Sequence, residues 1–141
     1  MPNDFNQQVI DEFRANEGRV GGMFEGAPLV LLTTTGAKSG RSTTSPVMYL
    51  KDDDRYVVIA SNAGADVHPA WYHNLRATPA ATAEIGTETF TVRAEIAEGE
   101  ERDRLFARMV AVAPGFADYE AKTSRRIPVV VLHRTTAAEK P

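Results

Sequence analysis

The stretch TTTGAKSGRSTTSP, residues 33–46, has side chains suited to holding an anion. It contains eight Ser or Thr residues, two Gly and two bases, and no Asp or Glu occurs between Glu25 and Asp52. Gly36 and Gly40 let the backbone turn sharply and expose its N–H groups, while Lys38 supplies positive charge. This combination favours a phosphate or a carboxylate. A solvated hairpin loop without a ligand is the alternative that composition leaves open.

A second candidate site follows a strand and opens a helix. Its first part contains the polar or permissive residues Ser61, Asn62 and Gly64. A short helix then begins near Pro69, so that its free N–H groups would face a ligand. Trp71 offers a flat apolar surface and Asn74 an amide, which together suit a planar heterocycle with a polar edge. Packing of Trp71 in the core is the alternative.

A third candidate is APGFADYEAKTSRR, residues 113–126, in which Phe116 and Tyr119 are three apart and would share one helix face. That face could cover a ligand or belong to the core. Metal binding is not predicted, because His68 and His73 are five apart and helical ligands face together at a spacing of four. No G-x-S-x-G nucleophile motif supports a hydrolase, and the G-x-x-x-x-G-K-[ST] order of a phosphate-binding P-loop is absent.

The chain as a whole limits the classes of protein that fit. It has 141 residues, no Cys and a net charge of −3. The length predicts one domain, and the missing Cys excludes disulfides and thiolate catalysis. The acidic charge argues against a nucleic-acid partner, and the N-terminus lacks the pattern of a signal peptide. These features favour a cytoplasmic protein.

The elements that must position these residues are six short strands and three main helices. Apolar spacing predicts an N-terminal amphipathic helix over residues 3–17, which packs on its own domain or alternatively touches a membrane surface. Closely joined strands must pair antiparallel. We therefore predict a mainly β, α+β fold: a six-stranded antiparallel split or closed barrel with inserted short helices, which leaves no exposed edges. The expected division is residues 1–20 for the helix and 25–135 for the barrel. The predicted strands span residues 27–35, 45–51, 55–61, 80–86, 88–99 and 127–134, the further helices 69–76 and 100–114, with a partly helical link over 115–126.

Four segments together resemble the deazaflavin-dependent nitroreductase family. They are LLTTTGAKSGR…SPVMYL, RYVVIAS, HPAWYHNLRATP and DYEAKTSRRIPVVVL, and the resemblance runs from about residue 25 to residue 134. It implies a split β-barrel oxidoreductase that uses coenzyme F420, a deazaflavin whose tail carries a phosphate and several glutamates. The acceptor would be a quinone, a nitroaromatic compound or an activated enone.

The resemblance also assigns roles to residues. It implies that Lys38 binds the cofactor tail. Relatives often have a second base where this chain has Thr43, and some have Lys where it has Asn62. The full implied cofactor set is Lys38, Ser39, Gly40, Arg41, Thr43, Ser61, Asn62, Gly64, Pro69, Ala70, Trp71 and Asn74.

On the acceptor side, three pocket tyrosines of some nitro-reducing relatives correspond to Ala113, Phe116 and Tyr119, so only Tyr119 keeps a hydroxyl. Tyr119 or Ser61 would supply the proton that the reduced acceptor needs. Two other functions stay open: a non-catalytic protein that binds deazaflavin, flavin or tetrapyrrole, and a barrel reductase that uses FMN. The related barrels also suggest a homodimer.

Overall fold

A six-stranded antiparallel sheet forms the body of the protein. The computed structural model describes residues 4–18, 28–60, 68–123 and 127–135. The strands are β1 Leu29–Thr35, β2 Ser42–Asp52, β3 Arg55–Ile59, β4 Ala80–Ile85, β5 Glu88–Ile96 and β6 Val129–Arg134. The helices are α1 Asp4–Ala15, α2 Ala70–Ala77, α3 Gly99–Val112 and α4 Gly115–Lys122.

The sheet closes on itself in the order β1-β2-β3-β6-β5-β4, and β4 returns to β1. Every one of these strand pairs is antiparallel. Closure gives every described strand a neighbour on both sides. The predicted fold class, an antiparallel six-stranded barrel with short inserted helices, is confirmed.

Strand alternation divides the apolar side chains between the inside and the outside of the barrel. Val30 and Leu32 belong to an interior cluster, whereas Leu29 and Leu31 belong to an outer one. Successive residues of a strand point to opposite faces, so a barrel covered on the outside needs apolar residues at every position of such a strand. The unbroken apolar run at the start of β1 follows from this demand.

Helices cover two parts of the outer surface. Helix α1 places Val9, Ile10 and Phe13 against Leu29 and Leu31, with each of the three helix residues at most 4% exposed. Helices α3 and α4 cover the outer faces of β3 and β6 in a separate cluster. No helix of the described residues is long and apolar enough to cross a membrane.

Most predicted elements have ends that differ from the structure by a few residues, and one of these differences concerns the candidate site. Strand β2 begins at Ser42 rather than at residue 45, because Ser42, Thr43 and Thr44 pair with Thr35, Thr34 and Thr33 across the hairpin. Their polar composition resembles a loop, and only cross-strand pairing reveals them as strand. The link over residues 115–126 is partly helical, as predicted: α4 covers Gly115–Lys122.

A carboxylate surrounded by arginines ties the β2–β3 turn to α3. Asp52 is 6% exposed, and its two carboxylate oxygens accept hydrogen bonds from Arg55 and Arg108. Nη2 of Arg104 lies 3.6 Å from Oδ2 of Asp52. The hydrogen bond from Arg55 is the main cause that lowers the pKa of Asp52 below its ordinary value of 3.8. A buried carboxylate with these partners holds the helix to the turn.

Asp52→Asn should lower the free energy of unfolding by about 1–3 kcal/mol at pH 7, because the arginines lose a charged acceptor. A carboxyl whose native pKa is lowered stabilises the fold above its unfolded pKa, and this contribution disappears as the pH falls through the native pKa. The difference in the free energy of unfolding between wild type and Asp52→Asn should therefore be largest at pH 7 and should shrink below the ordinary Asp pKa of 3.8. Urea unfolding at pH 7 and at low pH measures it, with Asp54→Asn, exposed in the same turn, as the control. An equal loss at both pH values would show that packing, not charge, is responsible.

Candidate functional site

Within the predicted anion-binding stretch of residues 33–46, residues 36–41 form a loop, a compact turn held by its own hydrogen bonds. The N–H of Gly36 donates to the carbonyl of Arg41 at 2.8 Å, and the N–H of Gly40 donates to the carbonyl of Gly36 at 3.0 Å. The N–H of Arg41 donates to Ser39 Oγ at 3.1 Å. Gly40 has a φ of +73°, and a Cβ added at Gly36 would lie 2.5 Å from Ser39 Oγ. The turn therefore favours glycine at position 40 for its positive φ, and a side chain at position 36 would displace the Ser39 hydroxyl.

The donors that the loop leaves free are concentrated at its tip. The N–H groups of Lys38 and Ser39 have no acceptor among the described residues. The side chains of Lys38 and Arg41 are exposed, and neither forms an ion pair within the described part of the chain. Most other described arginines do have such a partner: Arg14, Arg55, Arg102, Arg104, Arg108 and Arg134. The loop thus presents unneutralised charge beside two free backbone donors, which suits an anion.

Helix α2 closes the end of the barrel nearest this loop. Trp71, Tyr72 and Leu75 are buried in the interior cluster with strand residues such as Val30 and Leu132. Trp71 is 8% exposed, which is the core packing that the sequence left open, so only a small part of its ring faces outward. The helix starts at Ala70, one residue later than predicted, and Pro69 is its N-cap, with an extended ψ of 155° and no side-chain cap hydrogen bond. Ala70 is exposed at the first position.

Asn74 joins α2 to the loop. Its Oδ1 accepts from the N–H of Ala37 at 2.9 Å, and its Nδ2 donates to Thr34 Oγ1 at 3.0 Å. Asn74 is 7% and Thr34 2% exposed. Thr43 lies opposite Thr34 across the hairpin, with its side chain exposed. The sequence did not single out Thr34 or Ala37; a hydroxyl at an inward position of an otherwise apolar strand is the signal that would have found Thr34.

The predicted acceptor wall lies on the outer side of the barrel, over β3 and β6. Phe116 is 9% exposed and packs in the outer cluster with Ile59, the last residue of β3. Tyr119 is half-buried, and its ring meets Phe116 edge to face at 5.6 Å between centroids. Ala113, at the end of α3, packs partly against the same cluster. Strand β3 runs antiparallel to β2, so its last residue lies toward the loop end of the barrel.

A buried arginine fixes the helix that carries this wall. Arg102 on α3 donates to the carbonyl of Ile127 from Nε at 3.1 Å and from Nη2 at 2.7 Å. The same Nη2 reaches Glu120 on α4 at 2.8 Å. Its guanidinium also lies 4.6 Å from the centroid of the Phe106 ring. Arg102 therefore joins α3, α4 and the segment that leads into β6, a role that the amphipathic pattern of α3 did not indicate.

Three predicted site residues, Ser61, Asn62 and Gly64, lie outside the described residues. Within the described residues, no three His, Cys, Asp or Glu side chains converge as a metal site would require. A groove of about 670 Å³ runs along β1, β4, β5 and β6 beside residues such as Thr33 and Arg93. None of the predicted cofactor or acceptor residues lines this groove.

The candidate site thus combines a closed antiparallel barrel with a basic loop and an aromatic helix at one end. A family model described as F420H(2)-dependent quinone reductase matches residues 6–134, so the chain belongs to this family. The predicted resemblance to F420-dependent split-barrel enzymes is therefore confirmed. F420 is the cofactor that the family implies, and the chain is an F420-dependent oxidoreductase.

Individual relatives agree with the family match. An F420H(2)-dependent quinone reductase of Mycobacterium tuberculosis is 38% identical over 128 residues, covering 86% of this chain and 85% of the relative. A solved F420-H2 dependent reductase, FDR-A, is 38% identical with a TM-score of 0.69, covering 75% of this chain and 94% of that one. A structure described as a domain-swapped dimer is 34% identical with a TM-score of 0.71, covering 94% of this chain and 100% of that one.

The described residues fit the anionic tail of F420. Phosphate and carboxylate oxygens accept hydrogen bonds and carry negative charge, and the loop offers free N–H groups, hydroxyls and two unpaired bases. The buried acid Asp52 lies elsewhere, at the opposite end of β2 from Ser42. The loop therefore has donors and positive charge of the kind that such a tail requires.

Lys38→Ala should weaken F420 binding by roughly ten- to hundredfold, because a charge-assisted hydrogen bond contributes about 1.5–3 kcal/mol. A deazaflavin cut back to its ribityl chain, which lacks the tail, should bind wild type and variant almost equally. Fluorescence titration of both ligands measures the two losses, with the exposed Lys51→Ala as the matched control. Equal weakening of both ligands would contradict a tail contact.

Proposed function

We propose that this protein reduces quinones with F420H2 and holds the cofactor tail at residues 36–41. The observation that carries the proposal is the basic loop, whose Lys38 and Arg41 have no ion-pair partner among the described residues, beside the helix that closes the barrel. The family match supplies the donor and the acceptor class. In this proposal residues 25–135 form the cofactor-binding domain, and residues 1–20 form an accessory helix.

Bound F420H2 supplies a hydride and the protein supplies orientation. Lys38, Ser39 and Arg41, with Gly40 shaping the turn and Thr43 beside it, fix the tail. Pro69, Ala70 and the exposed part of Trp71 border the ring. Ser61, Asn62 and Gly64 add further cofactor contacts in this proposal, and Ser61 shares proton donation with Tyr119.

Turnover separates this proposal from its alternatives. Purified protein mixed with F420H2 and menadione should restore the absorbance of oxidised F420 many times over per protein molecule. A storage protein would bind F420 without turnover, and an FMN-dependent reductase would bind FMN more tightly than F420. Parallel titrations with F420 and FMN, followed by the menadione assay, therefore decide between three functions. Tight F420 binding with no quinone turnover would contradict the enzyme assignment.

The acceptor wall favours flat quinones over bulky nitro compounds. Phe116 is 9% exposed and its apolar ring carries no hydroxyl. Among Ala113, Phe116 and Tyr119, the hydroxyl therefore belongs to Tyr119. Apolar surface binds a flat ring by burial. A charge that develops on a nitro group needs positioned donors, of which this wall has fewer. Quinone reduction should therefore exceed reduction of bicyclic nitroimidazoles, and Phe116→Tyr should raise the nitro activity.

Tyr119→Phe should lower kcat/KM for both acceptors by about tenfold, less than the loss of an enclosed oxyanion donor, because water can replace a half-exposed hydroxyl. The change keeps the edge-to-face packing on Phe116, so stability should stay constant. Tyr49→Phe, which removes a hydroxyl elsewhere on the barrel, is the control. Steady-state kinetics with menadione measures the effect. Unchanged kcat/KM in Tyr119→Phe would remove Tyr119 from the site.

We further propose that the chain forms a homodimer, on the support of the 34% identical relative described as a domain-swapped dimer. Light scattering of the purified protein tests this, and a monomeric mass would contradict it. The membrane contact of the N-terminal helix gains no support from the structure. The apolar residues that would enter a bilayer, among them Val9 and Phe13, pack on the barrel instead.

A further inference from the structure

We propose that Asn74 is a positioning residue that sets the orientation of the anion loop, and that it acts on the cofactor tail rather than on the ring. The resemblance to F420-dependent enzymes implies a ring contact for this asparagine. The geometry points to a different role. The inference rests on the proposed function for its ligand, but its structural part can be tested without any cofactor.

Both ends of the Asn74 amide are engaged inside the protein. Oδ1 accepts from the N–H of Ala37 at 2.9 Å, and Nδ2 donates to Thr34 Oγ1 at 3.0 Å, which are ordinary hydrogen-bond lengths. The side chain is 7% exposed, so little of it can reach a ligand. Removing a buried partner of this kind leaves a donor and an acceptor unpaired, which is costly.

The loop has no other side-chain hydrogen bond from outside the hairpin within the described residues. Its internal bonds, Gly36 to Arg41 and Gly40 to Gly36, shape the turn but do not set its angle to the barrel end. The bond to Ala37 does so, because Asn74 belongs to a helix buried in the barrel. A loop ordered before binding loses less conformational freedom when the tail arrives, and so binds it more tightly.

Ligand binding distinguishes the two roles. For Asn74→Ala we expect about tenfold weaker binding of F420 and less than twofold weaker binding of the ribityl-chain fragment, because only F420 uses the loop. Thr34→Val removes one of the two bonds and should give a smaller loss of the same kind. Asn16→Ala, whose amide bonds only a carbonyl of its own helix end, is the control. Equal losses for the two ligands would assign Asn74 to the ring and overturn the proposal, as would no loss for either.

A double-mutant cycle identifies the residue through which Asn74 acts. In a Lys38→Ala background, Asn74→Ala should weaken F420 binding much less than in wild type, because the loop has already lost its main tail contact. Fully additive losses would contradict action through the loop.

Proteolysis tests the same idea without cofactor. Trypsin cleaves after Lys38 and Arg41, and cleavage requires local opening of the loop. In Asn74→Ala, trypsin should cut the peptide bonds after Lys38 and Arg41 several-fold faster than in wild type, while cleavage elsewhere stays unchanged. Mass spectrometry of the fragments measures the cleavage rates. Thr34→Val provides the same comparison if Asn74→Ala does not fold. Unchanged cleavage in the folded variants would overturn the proposal even if F420 binding and turnover were established.

Discussion

Pairing between β1 and β4 closes the sheet, and the arrangement of the site depends on that closure. The seam contains the three pairs Leu31 with Glu84, Leu32 with Ala83 and Thr33 with Thr82. Once the sheet is closed, its interior must be filled at the ends as well as in the middle, since packed proteins tolerate few voids. Helix α2 fills the end beside the β1–β2 hairpin with Trp71, Tyr72 and Leu75. The helix that completes the core therefore also comes to lie beside the basic loop.

The sequence predicted those parts of the structure that local chemistry decides. The predicted strands 80–86 and 88–99 leave room for only a tight turn, and Gly86 in that turn adopts a positive φ of +61°. The start of α2 after Pro69 follows from the fixed φ of proline. The early start of β2 at Ser42 was missed, because hydroxyl residues pair as strand only when a partner strand lies alongside.

For the candidate site, the sequence shows the residue types but not the contacts between them. An acid-free loop with Lys38 and Arg41 predicts an anion site because charge imbalance is visible in the sequence, and that site stays a prediction. The partner of Asn74 was not visible, because Thr34 and Ala37 lie about 40 residues away along the chain. Burial of Trp71 was equally hidden, as an aromatic next to a helix start suits both a ligand surface and the plug of a barrel.

Different residues hold the two parts of the candidate site, the anion loop and helix α4. Asn74 ties the loop to α2, whereas Arg102 ties α4 to α3 and to the carbonyl of Ile127. Among the described residues, the hydrogen bonds of Arg102 do not involve the loop. The two apolar clusters behind them lie on opposite sides of the β-sheet. Under the proposed function, substitutions at Tyr119 on α4 alter the acceptor pocket and leave intact the hydrogen bonds that hold the loop. Such an arrangement would let one scaffold diversify toward new oxidants by mutation of a single helix.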